Sequence, residues 1–158
     1  MPSQDKHQHL RRSALNLTSN SGIVPKVNAW AQSSLPGSAA CIMDWIVHMQ
    51  QNAEREGKQS LGPNKWTFNS FLQALSKSGK TTMGEEAEEV LNQMMDYYEN
   101  GWVDLKPDVM TFTAVIHCIA VSGTPDALER SLSIVRGMED FHEMGFGDVR
   151  PNMFTYNW

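Results

Sequence analysis

Pro107-Asp108-Val109-Met110-Thr111-Phe112-Thr113 decides the reading of this chain, because it is the middle of three copies of one box. Pro63-Asn64-Lys65-Trp66-Thr67-Phe68-Asn69 stands 44 residues upstream, and Pro151-Asn152-Met153-Phe154-Thr155-Tyr156-Asn157 stands 44 residues downstream. Proline, then Asn or Asp, two free positions, threonine and an aromatic recur at that interval. A period of roughly 20–50 residues marks a stacked repeat array.

The rest of each unit keeps the register. Gly79 and Gly123, Met94 and Met138, Gly101 and Gly145, and the small residues Ala87 and Ser131 are each 44 apart. Phe68, Phe71, Leu72 and Leu75 fall at i, i+3, i+4, i+7, and Phe112, Val115, Ile116 and Ile119 repeat that stripe. A second stripe, Ala87, Val90, Leu91 and Met94, is matched by Ser131, Ile134, Val135 and Met138. A period of 3.6 places each set on one side of a helix. Each unit is therefore a helical hairpin, and the pattern predicts an all-α fold with helices over about 66–78, 82–100, 110–121 and 125–144.

Turn chemistry agrees. Thr82-Met83-Gly84-Glu85 has capping-box spacing. Thr124-Pro125 offers an N-cap with proline at the first helical position. Gly101 and Gly145 stand where a helix C-terminus calls for a left-handed residue.

The chain has 158 residues and a formal net charge of −5, which taken alone argues against a nucleic-acid partner. Cys41 and Cys118 are far apart and belong to no C-x-x-C pair, as expected of unpaired thiols in a reducing compartment. No apolar run approaches the roughly 18–20 residues that span a bilayer. Residues 1–22 are polar, with Lys6, Arg11 and Arg12 against Asp5, and read either as a disordered tail or as the remnant of a transit peptide. Residues 23–64 form a worn first repeat. Its second-helix stripe, Ile42, Trp45, Ile46 and Met49, is intact, but Pro25 and Lys26 interrupt the first-helix pattern of Ile23, Val27 and Trp30. Gln50–Gly62 reads as a polar loop. Residues 65–108 and 109–152 are two sound repeats, and 153–158 opens a further one, so the chain reads as a fragment of a longer array.

Thr67-Phe68-Asn69, Leu75, Ser78-Gly79, Glu86-Ala87, Leu91, Met94, Gly101 and Pro107-Asp108, taken in order, resemble the pentatricopeptide repeat pattern. Thr111-Phe112-Thr113, Ser122-Gly123, Met138, Gly145 and Pro151-Asn152 match it again. The family's units are shorter than these, and the long form resembles members from algal and other protist organelles. The resemblance implies a right-handed α-solenoid of stacked helix-turn-helix repeats, a superhelix like that of tetratricopeptide proteins. It further implies sequence-specific binding of single-stranded RNA, one base per repeat, in organellar RNA processing, stability or translation, with a mitochondrial or plastid location.

By the same resemblance, the base-reading residues are Asn69 with Asp108, a pair that favours uracil, and Thr113 with Asn152, a pair that favours adenine. Trp66 and Met110 sandwich the bases, and Lys77 contacts phosphate, whereas Val121 takes its place in the next copy. The charge pattern points the same way. First helices carry Lys26, Lys65 and Lys77 and no acid, while Glu85, Glu86, Glu88, Glu89, Asp96, Glu99 and Asp126, Glu129, Glu139, Asp140, Glu143 load the second helices. An inner layer without acids leaves phosphate contacts possible despite the net charge. The acidic outer, convex face is open to protein partners.

Other readings stay open. Asp108 and Asn152 precede helices, where Asn and Asp are also good caps. A non-catalytic helical scaffold for a protein partner is the alternative function. His7, His9, His48, His117 and His142 are isolated, so no metal site is expected, and no cofactor. No H-E-x-x-H, phosphate-cradling glycine loop or separate carboxylate pair appears, and the chain carries no catalytic constellation of its own.

Overall fold

The computed structural model describes residues 37–157 together with Ala29 and Gln32. The expectations for residues 1–22, for Ile23, Pro25, Lys26, Val27 and Trp30, and for Trp158 lie outside the described residues. From residue 37 to 157 five α-helices follow one another: α1 (Ser38–Glu56), α2 (Lys65–Ser76), α3 (Met83–Glu99), α4 (Val109–Val121) and α5 (Ala127–Glu143). Two short 3-10 turns, Gln59–Leu61 and Val103–Leu105, lie in the connections, and no strand occurs among the described residues. The four helices of the two sound repeats begin and end within two residues of the expected bounds.

The helices form because their stripes bury one side. Phe68, Phe71, Leu72 and Leu75 of α2, and Phe112, Val115, Ile116 and Ile119 of α4, all lie in one continuous core. Ala87, Val90, Leu91 and Met94 of α3 join it, as do Val135 and Met138 of α5 and the four stripe residues of α1. The first helices α2 and α4 pack side by side, and each second helix packs on the next first helix, α1 on α2 and α3 on α4. Helix α4 touches α2, α3 and α5. That explains its composition, since a helix packed on three sides is apolar nearly all round. Its sequence, VMTFTAVIHCIAV, holds no Asp, Glu, Lys or Arg.

The repeated box is a helix-start device. Asn64 and Asp108 are the N-caps of α2 and α4, and the Asn64 Oδ1 accepts from the Thr67 N–H at 3.0 Å. Asp108 Oδ1 accepts from the Thr111 N–H at 3.0 Å, and the Asp108 N–H donates back to Thr111 Oγ1 at 3.3 Å, a reciprocal box built on threonine. Asn152 closes the same cap on the turn at the third box, accepting from the Thr155 N–H at 3.2 Å. Proline one residue before the cap and the aromatic at the fourth helical position have the spacing of a hydrophobic staple. Pro63, Pro107, Phe68 and Phe112 are all buried.

The second helices end as expected. Gly101 (φ 93°) and Gly145 (φ 78°) are left-handed. The Trp102 N–H returns to the Tyr97 carbonyl and the Phe146 N–H to the Phe141 carbonyl, which completes the Schellman pattern. A ring contact accompanies each closure, Tyr97 on Trp102 at 5.4 Å and Phe141 on Phe146 at 5.1 Å between centroids. Phe68 lies 6.5 Å from Tyr97 and Phe112 lies 5.9 Å from Phe141. Each hairpin is thus clamped by three rings, one from each helix and one from the following loop. Trp102 also lies over Gly62, where an added Cβ would fall 2.4 Å from the indole ring. Only glycine lets the loop before α2 come that close.

Three local expectations are corrected. Thr82 does not form a capping box with Glu85: its side chain makes no cap bond, and its hydroxyl reaches the Glu86 carboxylate at 2.8 Å instead. Thr82 has helical dihedrals (φ −82°, ψ −2°) in place of the extended backbone usual at an N-cap. Thr124 is not the N-cap of α5, which starts at Ala127 behind Asp126. Pro125 and Asp126 form a turn first, closed by the Ala127 N–H on the Thr124 carbonyl at 3.1 Å. Gln50–Glu56 is helical and not loop, since good helix formers carry α1 on past buried Ala53 to left-handed Gly57.

Candidate functional site

One face of α2 and the equivalent face of α4 border a groove of about 900 Å3. On α2 it is lined by Trp66, Asn69 and Gln73, and on α4 by Met110, Thr113 and His117, each set at i, i+3, i+7. Lys77 closes one end of the α2 side, and Asp108 and Asn152 enter from the caps. All seven residues singled out in the sequence, Asn69, Asp108, Thr113, Asn152, Trp66, Met110 and Lys77, therefore line one cavity. Trp66 is 45% exposed, Met110 71% and Phe154 73%, so the groove presents apolar surface at the same box position of three successive copies.

The pairs expected to act together are physically joined. Thr111 Oγ1 donates to Asn69 Oδ1 at 2.9 Å and lies 3.2 Å from Asp108 Oδ1. Thr155 Oγ1 lies 3.2 Å from Thr113 Oγ1 and 3.3 Å from Asn152 Oδ1. In both places the buried threonine of the next box bridges the residue after the aromatic to the Asn or Asp cap. Sequence reasoning missed this bridge. The signal was present, since Thr67, Thr111 and Thr155 are unchanged in all three copies of the box, but a threonine at that position is fully accounted for by capping.

Electrostatically the two joints differ. Lys65 Nζ lies 2.8 Å from Asp108 Oδ2, and both side chains are somewhat over a third exposed. Burial raises the Asp108 pKa, but the hydrogen bond and charge of Lys65 and the Thr111 N–H outweigh it, so the carboxyl is held below its ordinary range. At the second joint Val109 stands at the position of Lys65 and Asn152 at that of Asp108, so the acid with its lysine is replaced by an amide with a valine.

No family model, no curated protein and no solved structure matches this chain. What the site can do must come from its own chemistry. Its offers are amide and hydroxyl groups at fixed positions, exposed apolar side chains on either side of them, and lysines along α2.

A second cleft, of about 710 Å3, shares Lys65, Trp66 and Asp108 with the groove and runs between the inter-repeat loops. In it Lys106 Nζ stands 4.6 Å from the Phe146 ring centre and 5.4 Å from that of Tyr98, a cation over two rings that themselves meet edge-on. Among the described residues no group of three or more His, Cys, Asp or Glu side chains could hold a metal ion. Burial pushes the Cys118 thiol up to about 12, and it donates to the Leu72 carbonyl at 3.3 Å. It packs α4 on α2 as a neutral side chain. No helix among the described residues is long and apolar enough to cross a membrane.

The second-helix layer is less uniformly acidic than the count of acids implied. Arg130 of α5 makes a bidentate pair with Glu88 of α3, at 3.1 and 2.8 Å, so the two second helices are tied by opposite charges.

Proposed function

We propose that this chain is part of a pentatricopeptide-type right-handed α-solenoid that binds single-stranded RNA base by base along the α2–α4 groove. The observation that carries the proposal is the doubled joint. Asn69 with Asp108 and Thr113 with Asn152 are bridged by Thr111 and Thr155, one repeat apart, on the same groove wall. In this reading Asn69 and Asp108 meet uracil, Thr113 and Asn152 meet adenine, Trp66 and Met110 flank the bases, and Lys77 meets phosphate. Stacking contributes about 1–3 kcal/mol per base, so two bases amount to weak affinity after association entropy is subtracted. Service in organellar RNA processing, stability or translation, and an acidic convex face for protein partners, complete the proposal.

The chain on its own is expected to show no sequence-specific gel shift at micromolar concentration. An array carrying further in-register copies of residues 65–152 is expected to bind a U- and A-containing single strand, with affinity falling steeply as salt rises. Tight, salt-resistant binding by the short chain would place the contacts elsewhere. The exposed Trp66, Met110 and Phe154 favour a second reading, a scaffold whose groove takes an apolar peptide segment. Extended arrays that ignore RNA at low salt would support the scaffold.

A further inference from the structure

Thr111 has a single hydroxyl proton and two candidate acceptors, Asn69 Oδ1 at 2.9 Å and Asp108 Oδ1 at 3.2 Å. A bare carboxylate accepts more strongly than an amide carbonyl and would take that proton. Here the carboxylate is already engaged on both oxygens, Oδ1 by the Thr111 N–H and Oδ2 by Lys65 at 2.8 Å. These bonds draw on the carboxylate's charge without filling its acceptor sites, and the shorter contact, 2.9 Å to Asn69 against 3.2 Å to Asp108, takes the proton. An amide has one acceptor oxygen and two N–H donors, so a side chain whose carbonyl is engaged inward has donors to offer the groove.

We infer that Lys65 is a specificity-determining positioning residue, which acts through Asp108 and Thr111 to turn the donor end of Asn69 toward the groove. Such a position selects a base edge that presents a keto oxygen and disfavours one that presents an amino group. The inference rests on the RNA reading above and adds to it a residue outside the pair that reads the base.

The second joint is an internal control. Its Thr113 hydroxyl both donates and accepts, and it can rotate to suit either kind of edge. The charged pair is not repeated there, since Val109 and Asn152 occupy the places of Lys65 and Asp108. Lysine accompanies the acid, and valine accompanies the amide. Removing the positive charge from the first joint should therefore loosen selection there and leave the second unchanged.

The test compares the whole chain with Lys65→Met, which keeps the length of the side chain without its charge, and with Lys65→Arg, which keeps the pair. Side-chain amide signals are followed by NMR, first in the free protein and then in titrations with millimolar uridine and adenosine tetranucleotides, a regime that detects weak binding. Thermal melts establish that each variant is folded.

In the free Lys65→Met protein the Asn69 amide signals are expected to move while those of Asn152 stay. The Asn69 signals of the parent chain should report a preference for the uridine strand of about tenfold, the size of one good polar contact. In Lys65→Met that preference should fall to within about threefold, and Lys65→Arg should restore it. An unchanged preference in Lys65→Met, or Asn69 signals in the free protein that ignore the substitution, would overturn the role of Lys65 while leaving base reading intact. If neither strand moves any groove signal of the parent chain, the RNA reading falls and the specificity role with it.

Discussion

The joint at Thr111 and the joint at Thr155 have the same hydrogen-bond plan but different surroundings. At the first, the aromatic Phe112 is 2% exposed, the cap is an acid and a lysine pairs with it. At the second, Tyr156 is 55% exposed, the cap is an amide and Val109 stands in the place of the lysine. The cap and the bridge are copied because they depend on a few residues at fixed spacing. Charge is not copied, because Val109 and Asn152 replace Lys65 and Asp108 in the sequence, and burial is not copied, because it depends on which elements stand alongside. The box is thus a frame that repeats, and the groove is a surface that varies upon it.

The largest effect should separate the two aromatics. Phe112→Ala is expected to cost about 3–5 kcal/mol, as a truncation in a packed core. Tyr156→Ala should stay within about 0.5 kcal/mol. Chemical denaturation of both proteins checks this, and equal losses would mean that the third box is packed as firmly as the second.

The bridges come next. Thr111→Val keeps the shape but leaves the half-buried Asp108 N–H and Asn69 Oδ1 without the hydroxyl, a loss of about 0.5–1.5 kcal/mol. Thr155→Val should cost less, since its partner Asn152 is exposed. A reversed order would show that the charged joint is the looser one.

Acid should distinguish the joints again. Asp108 has a folded pKa below its ordinary 3.8, so its contribution to stability is complete above that value. It is lost as pH falls through the depressed folded pKa. Asp108→Asn, which makes the first joint resemble the second, should flatten the melting temperature between about pH 4 and 2 relative to the parent chain. If the two pH profiles remain parallel, the pairing with Lys65 carries no stability. Lys65→Met should shift the profile in the same direction as Asp108→Asn and by less, because the Thr111 N–H still supports the carboxylate.

The smallest effect concerns the second helices, where Ser131 of α5 stands at the position of Ala87 in α3. The Ser131 hydroxyl is buried and has no hydrogen-bond partner among the described residues. Ser131→Ala removes an unpaired polar group, so it should be neutral or raise stability by up to about 1 kcal/mol. A clear loss in the same denaturation assay would reveal a partner for that hydroxyl.

Much of the architecture was legible in the chain. The 44-residue interval, the paired stripes and the glycines at 101 and 145 predicted α2 to α5 and their ends, because periodicity and capping are chemistry among residues a few positions apart. The same interval put Trp66 with Met110 and Asn69 with Thr113 on equivalent faces, so the membership of the groove wall followed from register. Where local chemistry offered close alternatives, as at Thr82 and Thr124, the choice between a backbone N–H and a neighbouring carboxylate or turn was read wrongly. Only the tertiary structure decided which groups about 40 residues apart come within contact distance. It joins Asn69 to Asp108 through Thr111, pairs Lys65 with Asp108, ties Arg130 to Glu88 and lays Trp102 over Gly62. Periodicity fixes the face on which a residue lies, whereas a hydrogen bond needs its partner within about 3 Å at the right angle. That second condition is met only once neighbouring hairpins have packed.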